Sequence, residues 1–264
     1  MNEQPMVEPP FPADADTSEE ETARMSEVSR ASNIFLAPGE TFEDVNRKPT
    51  WVFPLLITLA FTLGVGFLLH TKVLTSEAFE RITREKMLEA FEKQGAAPPP
   101  EEALQEQLKL IKTINQYWYI TAILGLLVLL PIVAGFYYVI LLLFQAETNF
   151  KKVFSVVTWS WMAQSVGSGI VGIITLLVRA PETIDPTNPF ATNLAAFLSV
   201  EETPPTLYAL AGSLDIFTIF FLILASIGFS KVSKKTSVGT AAMAVFIGWG
   251  LYVLGKVGIA AFQS

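Results

Sequence analysis

No charged residue interrupts residues 118–144, which read WYITAILGLLVLLPIVAGFYYVILLLF. As an α-helix this stretch is about 40 Å long, more than the roughly 30 Å hydrocarbon core of a lipid bilayer. Helices of water-soluble proteins carry a polar stripe at the 3.6-residue period, and this stretch has none. It is therefore predicted to be a transmembrane helix.

Four other stretches are long and apolar enough to cross a bilayer: residues 50–70, 154–178, 208–230 and 238–261. Together the five stretches contain only two formal charges, those of Asp215 and Lys256. The whole chain is 51% hydrophobic and 16% charged, whereas about a quarter of the residues are charged in soluble proteins. The predicted fold is an all-α integral membrane protein with five transmembrane helices, in which residues 31–264 form the membrane domain.

The first 30 residues differ in composition from the rest. They contain four prolines and eight acidic residues against Arg24 and Arg30, and they account for most of the net charge of −7. Such a segment buries too little apolar surface to fold, so it is predicted to be a disordered acidic tail, with an acidic partner-binding peptide as the alternative. After it, residues 41–46 are predicted to form an amphipathic turn along the membrane interface, with Phe42 and Val45 on one face.

Two longer connections separate the predicted spans. Residues 71–117 show two stripes of apolar residues at helical spacing, separated by Gly95 and Pro98–Pro100, which predicts an extra-membrane helical hairpin between the first two spans. Residues 179–207 are rich in proline and carry a short apolar stretch at 190–198. That connection is predicted to be either a short surface helix or a segment that dips into the membrane.

Basic residues in the short connections predict the orientation. Seven of them fall on one side of the membrane if the helices alternate: Arg47, Lys48, Lys151, Lys152, Lys231, Lys234 and Lys235. Since the cytoplasmic side carries the excess of lysine and arginine, the N-terminus is predicted to be cytoplasmic and the C-terminus outside. The predicted location is the cell's inner membrane.

The composition excludes several kinds of chemistry. The chain has no cysteine and a single histidine, His70, so disulfides, thiolate sites, HExxH zinc sites and bis-histidine haem are excluded. Two nucleotide-binding patterns, GxGxxG at Gly167–Gly172 and GxxxxGK at Gly250–Lys256, lie inside predicted spans, where no phosphate-binding turn forms. We predict no catalytic, cofactor-binding or metal site.

The glycines and serines of the third span have another expected role. Ser165 with Gly169, and Ser168 with Gly172, are pairs of small residues one helical turn apart, which let neighbouring helices approach closely. These four residues are therefore predicted to mediate helix packing.

Asp215 and Lys256 are the two charges within the predicted spans. If spans four and five form a hairpin, the two residues lie at similar depth near the outer leaflet. They are predicted either to form an intramembrane ion pair or to remain separate, with Lys256 extended toward the interface and Asp215 facing water.

Several segments resemble the YIP1 family of multi-pass membrane proteins, in its bacterial form. The resemblance covers about residues 31–262 and is carried by NIFLAPGETFEDV (33–45), RKPTWVFPLL (47–56), DPTNPFATNLAAFL (185–198), LYALAGSLDIF (207–217) and GFSKVSKK (228–235). It implies five spans and a cytoplasmic N-terminus. Eukaryotic members bind Rab GTPases, but the DLYGP-type motif and the Gly-Tyr dipeptide of that branch are missing here, so Rab binding is not expected.

The predicted function is that of a non-enzymatic scaffold or adaptor that organises membrane partners or lipid. Its expected partners are the bilayer and other membrane or cytoplasmic proteins, with no nucleic acid and no cofactor. The alternative is a subunit of a transporter or channel, for which Gln164, Pro131 and the glycines of the third span are the candidates near mid-membrane depth.

Overall fold

The computed structural model describes residues 23–93, 95–184, 188–200 and 202–262, and within these ranges the long regular elements are all helices. In chain order the α-helices are α1 (Glu27–Asn33), α2 (Pro38–Arg47), α3 (Val52–Leu69), α4 (Glu77–Lys93), α5 (Glu101–Gln116), α6 (Trp118–Leu143), α7 (Phe150–Val178), α8 (Pro205–Ser213), α9 (Ile216–Val232) and α10 (Val238–Phe262).

Four segments are long and apolar enough to cross a membrane: Val52–Leu74, Trp118–Leu143, Phe150–Val178 and Val238–Phe262. The first consists of α3 and a π-helical turn at His70–Leu74, and the others are α6, α7 and α10. Their positions agree with four of the five predicted spans. The prediction of an all-helical protein with several membrane-spanning helices is confirmed.

The remaining predicted span, residues 208–230, is not one continuous helix. It consists of α8 and the 17-residue α9, separated at Leu214 and Asp215. The side chain of Asp215 accepts hydrogen bonds from the first backbone N–H groups of α9 and so caps that helix. Hydropathy predicted a single span because α8 and α9, the helices before and after the interruption, are both apolar.

The predicted boundary between tail and domain at residue 30 is too late. Ser26 caps α1 through its side chain, and Arg30 within α1 is buried. Only residues 1–22 of the predicted acidic tail lie outside the described residues. The ordered N-terminal segment, residues 23–50, therefore includes part of the predicted tail.

The predicted amphipathic turn at residues 41–46 lies within α2, and Phe42 and Val45 do share one face. Both side chains are fully buried, because α2 packs against α7 and α9. The apolar face of α2 therefore contacts the helix bundle and not the membrane surface that the sequence suggested.

The main core lies around α7, which packs against α3, α6, α9 and α2, while α10 packs against α9, α8 and α6. Trp159, in the first third of α7, is the largest fully buried side chain among the described residues. Between α3 and α6 in the chain, α4 and α5 are joined by two exposed ion pairs, Arg84–Glu101 and Glu80–Lys112, both at 2.6 Å. The order of these pairs makes α4 and α5 antiparallel.

Candidate functional site

Arg30 and Asp44 form a buried ion pair that joins α1 to α2. The Arg30 Nε donates to Asp44 Oδ2 at 2.8 Å, and its Nη2 donates to the Asp44 backbone carbonyl at 3.0 Å. The remaining guanidinium nitrogen donates to Thr50 Oγ1 at 2.7 Å and to the Lys48 carbonyl at 3.2 Å. The side chain of Arg30 thus connects α1, α2 and the start of α3 in one network.

The Asp44 carboxylate has further donors. The backbone N–H groups of Arg24 and Met25 donate to its two oxygens at 2.6 and 3.2 Å. Burial raises the pKa of Asp44, but the hydrogen bonds from Arg24, Arg30 and Met25 together hold it below its usual value. Asp44 is therefore ionised at neutral pH, and its charge compensates that of Arg30.

A hydrogen bond from Trp159 connects this network to the bundle. The Trp159 Nε1 donates to the Thr50 backbone carbonyl at 3.0 Å. Because Trp159 is fully buried in α7, this bond fixes the start of α3 against α7. We call residues 23–50 with the Arg30–Asp44 network the N-terminal clasp.

The seven predicted topology-setting residues come together at the end of the bundle that carries the clasp, which we call the basic face. Lys231 donates to Glu43 Oε1 at 2.6 Å, and Lys235 forms an ion pair with Glu147. These hydrogen bonds lower the pKa values of both glutamates. A backbone bond from Lys234 to Glu147 joins the connections α6–α7 and α9–α10, and Arg47, Lys48 and Lys151 surround one cavity at the same end.

The interruption between α8 and α9 forms a second polar cluster. Asp215 Oδ1 accepts from the N–H groups of Phe217 and Thr218, both at 2.9 Å, and Oδ2 accepts from the Thr192 hydroxyl. The backbone of residues 192–194 pairs with that of residues 214–216 through two further hydrogen bonds. The apolar stretch of the proline-rich connection is therefore anchored at the interruption.

Lys256 lies beside this cluster, but its hydrogen-bond partner is Ser213. The Lys256 Nζ donates to Ser213 Oγ at 3.3 Å and lines a cavity of about 430 Å³ together with Asn188 and Asn193. The structure therefore brings Asp215 and Lys256 to the same end of α9 and gives each a different partner.

We expect Asp215→Ala to destabilise the protein by about 1–2 kcal/mol, because it removes the acceptor for two N–H groups at the start of α9. Asp215→Asn keeps a side-chain oxygen for those groups and is expected to lose less. The measurement is the thermal unfolding midpoint of each variant in detergent. Equal losses for alanine and asparagine would show that the cap contributes little.

The predicted packing residues of the third span lie on α7, where Gly169 and Gly172 are buried. A Cβ atom on Gly169 would lie 2.6 Å from the Phe61 ring of α3, and one on Gly172 would lie 3.1 Å from the Phe190 ring. Ser168 donates within its own helix to the Ser165 carbonyl. Both nucleotide-type patterns lie inside continuous helices, α7 and α10.

An apolar cavity of about 610 Å³ opens between α6, α7, α9 and α10. Gln164 and Thr218 are polar residues in its wall, among aromatic and aliphatic side chains such as Trp161 and Tyr252. Its volume is in the range of small-molecule sites. Among the described residues, no group of three histidine, aspartate or glutamate side chains is arranged to hold a metal ion.

The sequence did not identify Arg30, Asp44 and Thr50 as a unit. Arg30 and Asp44 are 14 residues apart and lie on different helices, so no helical spacing links them. A weak signal exists in Ser26, which precedes a helix-compatible stretch and is a typical N-cap residue. That signal would have predicted α1 within the acidic segment.

Residues 32–259 match the protein family described as Yip1 domain. No curated protein and no solved structure matches the chain. The matched range confirms the resemblance predicted over about residues 31–262. It includes the basic face, the interruption at Asp215 and the clasp from residue 32 on, with Asp44 but without Arg30.

Proposed function

Since the chain belongs to the Yip1 domain family, whose members are non-enzymatic membrane proteins, we propose that it is itself non-enzymatic and acts as a membrane scaffold or adaptor. The observation that carries the proposal is the surface of the N-terminal clasp. The buried charges of Arg30 and Asp44 neutralise each other inside the clasp, while Val28 and Leu36 remain 69% and 85% exposed. We take these exposed apolar side chains of the clasp as the proposed docking surface.

The proposed membrane arrangement has five passes. The 17 residues of α9 extend about 25 Å from the basic face, so α8 and α9 together supply the fourth of the five passes, with the interruption near the opposite surface. The excess of basic residues at the clasp end supports a cytoplasmic location for the N-terminus of the protein. Its C-terminus is then proposed to lie on the outer side of the inner membrane. The proposed partners are other membrane proteins, cytoplasmic proteins or lipid.

Site-specific photocrosslinking from Leu36 tests this function. A photoreactive residue at Leu36 is expected to capture one recurring membrane or cytoplasmic protein in cells, because this side chain is the most exposed apolar group of the clasp. The control position is Phe197, which is 82% exposed in the connection between α7 and α8. Capture of the same proteins from both positions, or of none from Leu36, would argue against a docking surface at the clasp.

A transporter or channel subunit is the second candidate, and the 610 Å³ cavity with Gln164 in its wall favours it. The interrupted fourth span adds a broken helix, which many transporters use. However, transporters place such breaks near the bilayer midplane, whereas α9 is long enough to put this one near a surface. Solute flux in liposomes that is lost in Gln164→Ala would favour this candidate over the scaffold.

A further inference from the structure

A cavity of about 820 Å³ lies on the basic face where the clasp meets the starts of α3 and α7. The basic residues of its wall are Arg47, Lys48 and Lys151. Its apolar wall consists of the side chains at the start of α3, among them Trp51, Val52 and Leu56. The cavity therefore has both cationic and apolar residues in its wall.

The three cations of this cavity are available to a ligand. Within the described residues, none of them forms a side-chain ion pair within 4 Å, and the side chains of Lys48 and Lys151 are exposed. The one acidic residue in the wall, Glu27, already accepts from Thr50 at 3.1 Å and contacts Arg30 at 3.5 Å. The cavity thus carries a net positive charge, part of which, that of Arg47, also acts on an acidic residue outside the wall, Glu43.

The apolar wall faces the surroundings of α3 and not the protein core. Val52 and Leu56 are 50% and 57% exposed, and Trp51 is 37% exposed while it packs on Phe154. Tryptophan at the end of a transmembrane helix is typical of the level of the lipid headgroups. At this level, a ligand of the cavity has a polar end beside the lysines and an apolar end along α3.

We propose that this cavity binds an anionic phospholipid, with the phosphate headgroup beside Lys48, Lys151 and Arg47 and an acyl chain along Leu56. Basic pockets between transmembrane helices on the cytoplasmic side bind such headgroups through charge attraction. The proposal deepens the proposed function and rests on it for the placement of the basic face against a membrane. It names the lipid class that the scaffold would gather around itself.

Titration with phosphatidylglycerol, followed by native mass spectrometry of the detergent-solubilised full chain, tests the proposal. The wild type is expected to bind dioctanoyl phosphatidylglycerol more tightly than the zwitterionic phosphatidylcholine of the same chain length. Removal of one charge in Lys151→Gln is expected to weaken phosphatidylglycerol binding about five-fold, and Lys48→Gln combined with it about five-fold more. Inorganic phosphate is expected not to compete, because it lacks the acyl chain.

Lys152→Gln is the matched control. Lys152 is the next residue of α7 and has the same charge, but it does not line the cavity. It is expected to bind phosphatidylglycerol like the wild type. An equal loss for Lys151→Gln and Lys152→Gln, or no preference for phosphatidylglycerol over phosphatidylcholine, would overturn the proposal. If the crosslinking from Leu36 still captured its partner in that case, the scaffold function would stand without this lipid site.

Discussion

Arg30→Met is expected to destabilise the protein by about 3–5 kcal/mol, because it leaves the Asp44 carboxylate buried without its counter-charge. Asp44 is only 3% exposed and would retain the backbone N–H groups of Arg24 and Met25 as its donors. The loss of Arg30 also leaves Thr50 without the donor that ties the clasp to α3. The free energy of unfolding in detergent measures the effect.

Three comparisons make this prediction specific. Arg81→Met removes an exposed arginine from α4 and is expected to change stability little. Arg30→Met with Asp44→Asn removes both charges and is expected to lose less than Arg30→Met alone, because no uncompensated charge remains. The third comparison uses Val45→Cys, which introduces a single thiol at a buried position of a chain without cysteine. The rate at which a thiol reagent labels this cysteine is expected to rise when Arg30 is also replaced. Unchanged labelling would mean that the ion pair does not hold the clasp closed.

Gly228→Ala is expected to lower the free energy of unfolding by about 1–3 kcal/mol, because neighbouring side chains already occupy the space that the added methyl group needs. A Cβ atom at Gly228 would lie 2.4 Å from Val156 Cγ1 and 3.1 Å from the ring of Phe42. Both neighbours are fully buried, so neither has room to move away. The substitution should therefore separate α9 from α7 and from the clasp at once.

The matched control for this substitution is Gly125→Ala in α6, where no atom lies within 4 Å of the added Cβ. It is expected to be neutral or slightly stabilising, because alanine favours helix more than glycine does. Val156→Ala removes the closest atom and is expected to restore part of the stability of Gly228→Ala. Equal effects of the two glycine substitutions on the unfolding midpoint would contradict the close contact.

Hydropathy predicted α3, α6, α7 and α10 because the apolar composition of a long segment is enough to identify a membrane-spanning helix. The interruption at Asp215 depends on contacts with residues 192–194, which lie in a different part of the chain. The dipeptide Gly212-Ser213 and the cap residue Asp215 were present as local signals, but the apolar residues around them concealed the break in a window average. A single aspartate in an apolar run is better interpreted first as a helix N-cap.

The clasp was missed for a related reason. The composition of residues 1–30 as a whole predicted disorder, although its last residues, from Ser26 on, form a capped helix. Burial of Arg30 depends on acceptors supplied by Asp44, Lys48 and Thr50, which no periodicity connects to it. The packing role of Gly169 and Gly172, by contrast, was predicted from their spacing alone, because a small residue leaves room for a neighbouring group whatever that group is.

The pairing of Glu43 with Lys231 has a consequence for biosynthesis. The two residues are 188 positions apart in the sequence. When Glu43 has been synthesised, the helix that carries Lys231 has therefore not yet been made. The clasp can therefore complete its contacts with α9 only after the intervening helices have been made and α9 has emerged. A segment translated early is thus among the last to complete its contacts.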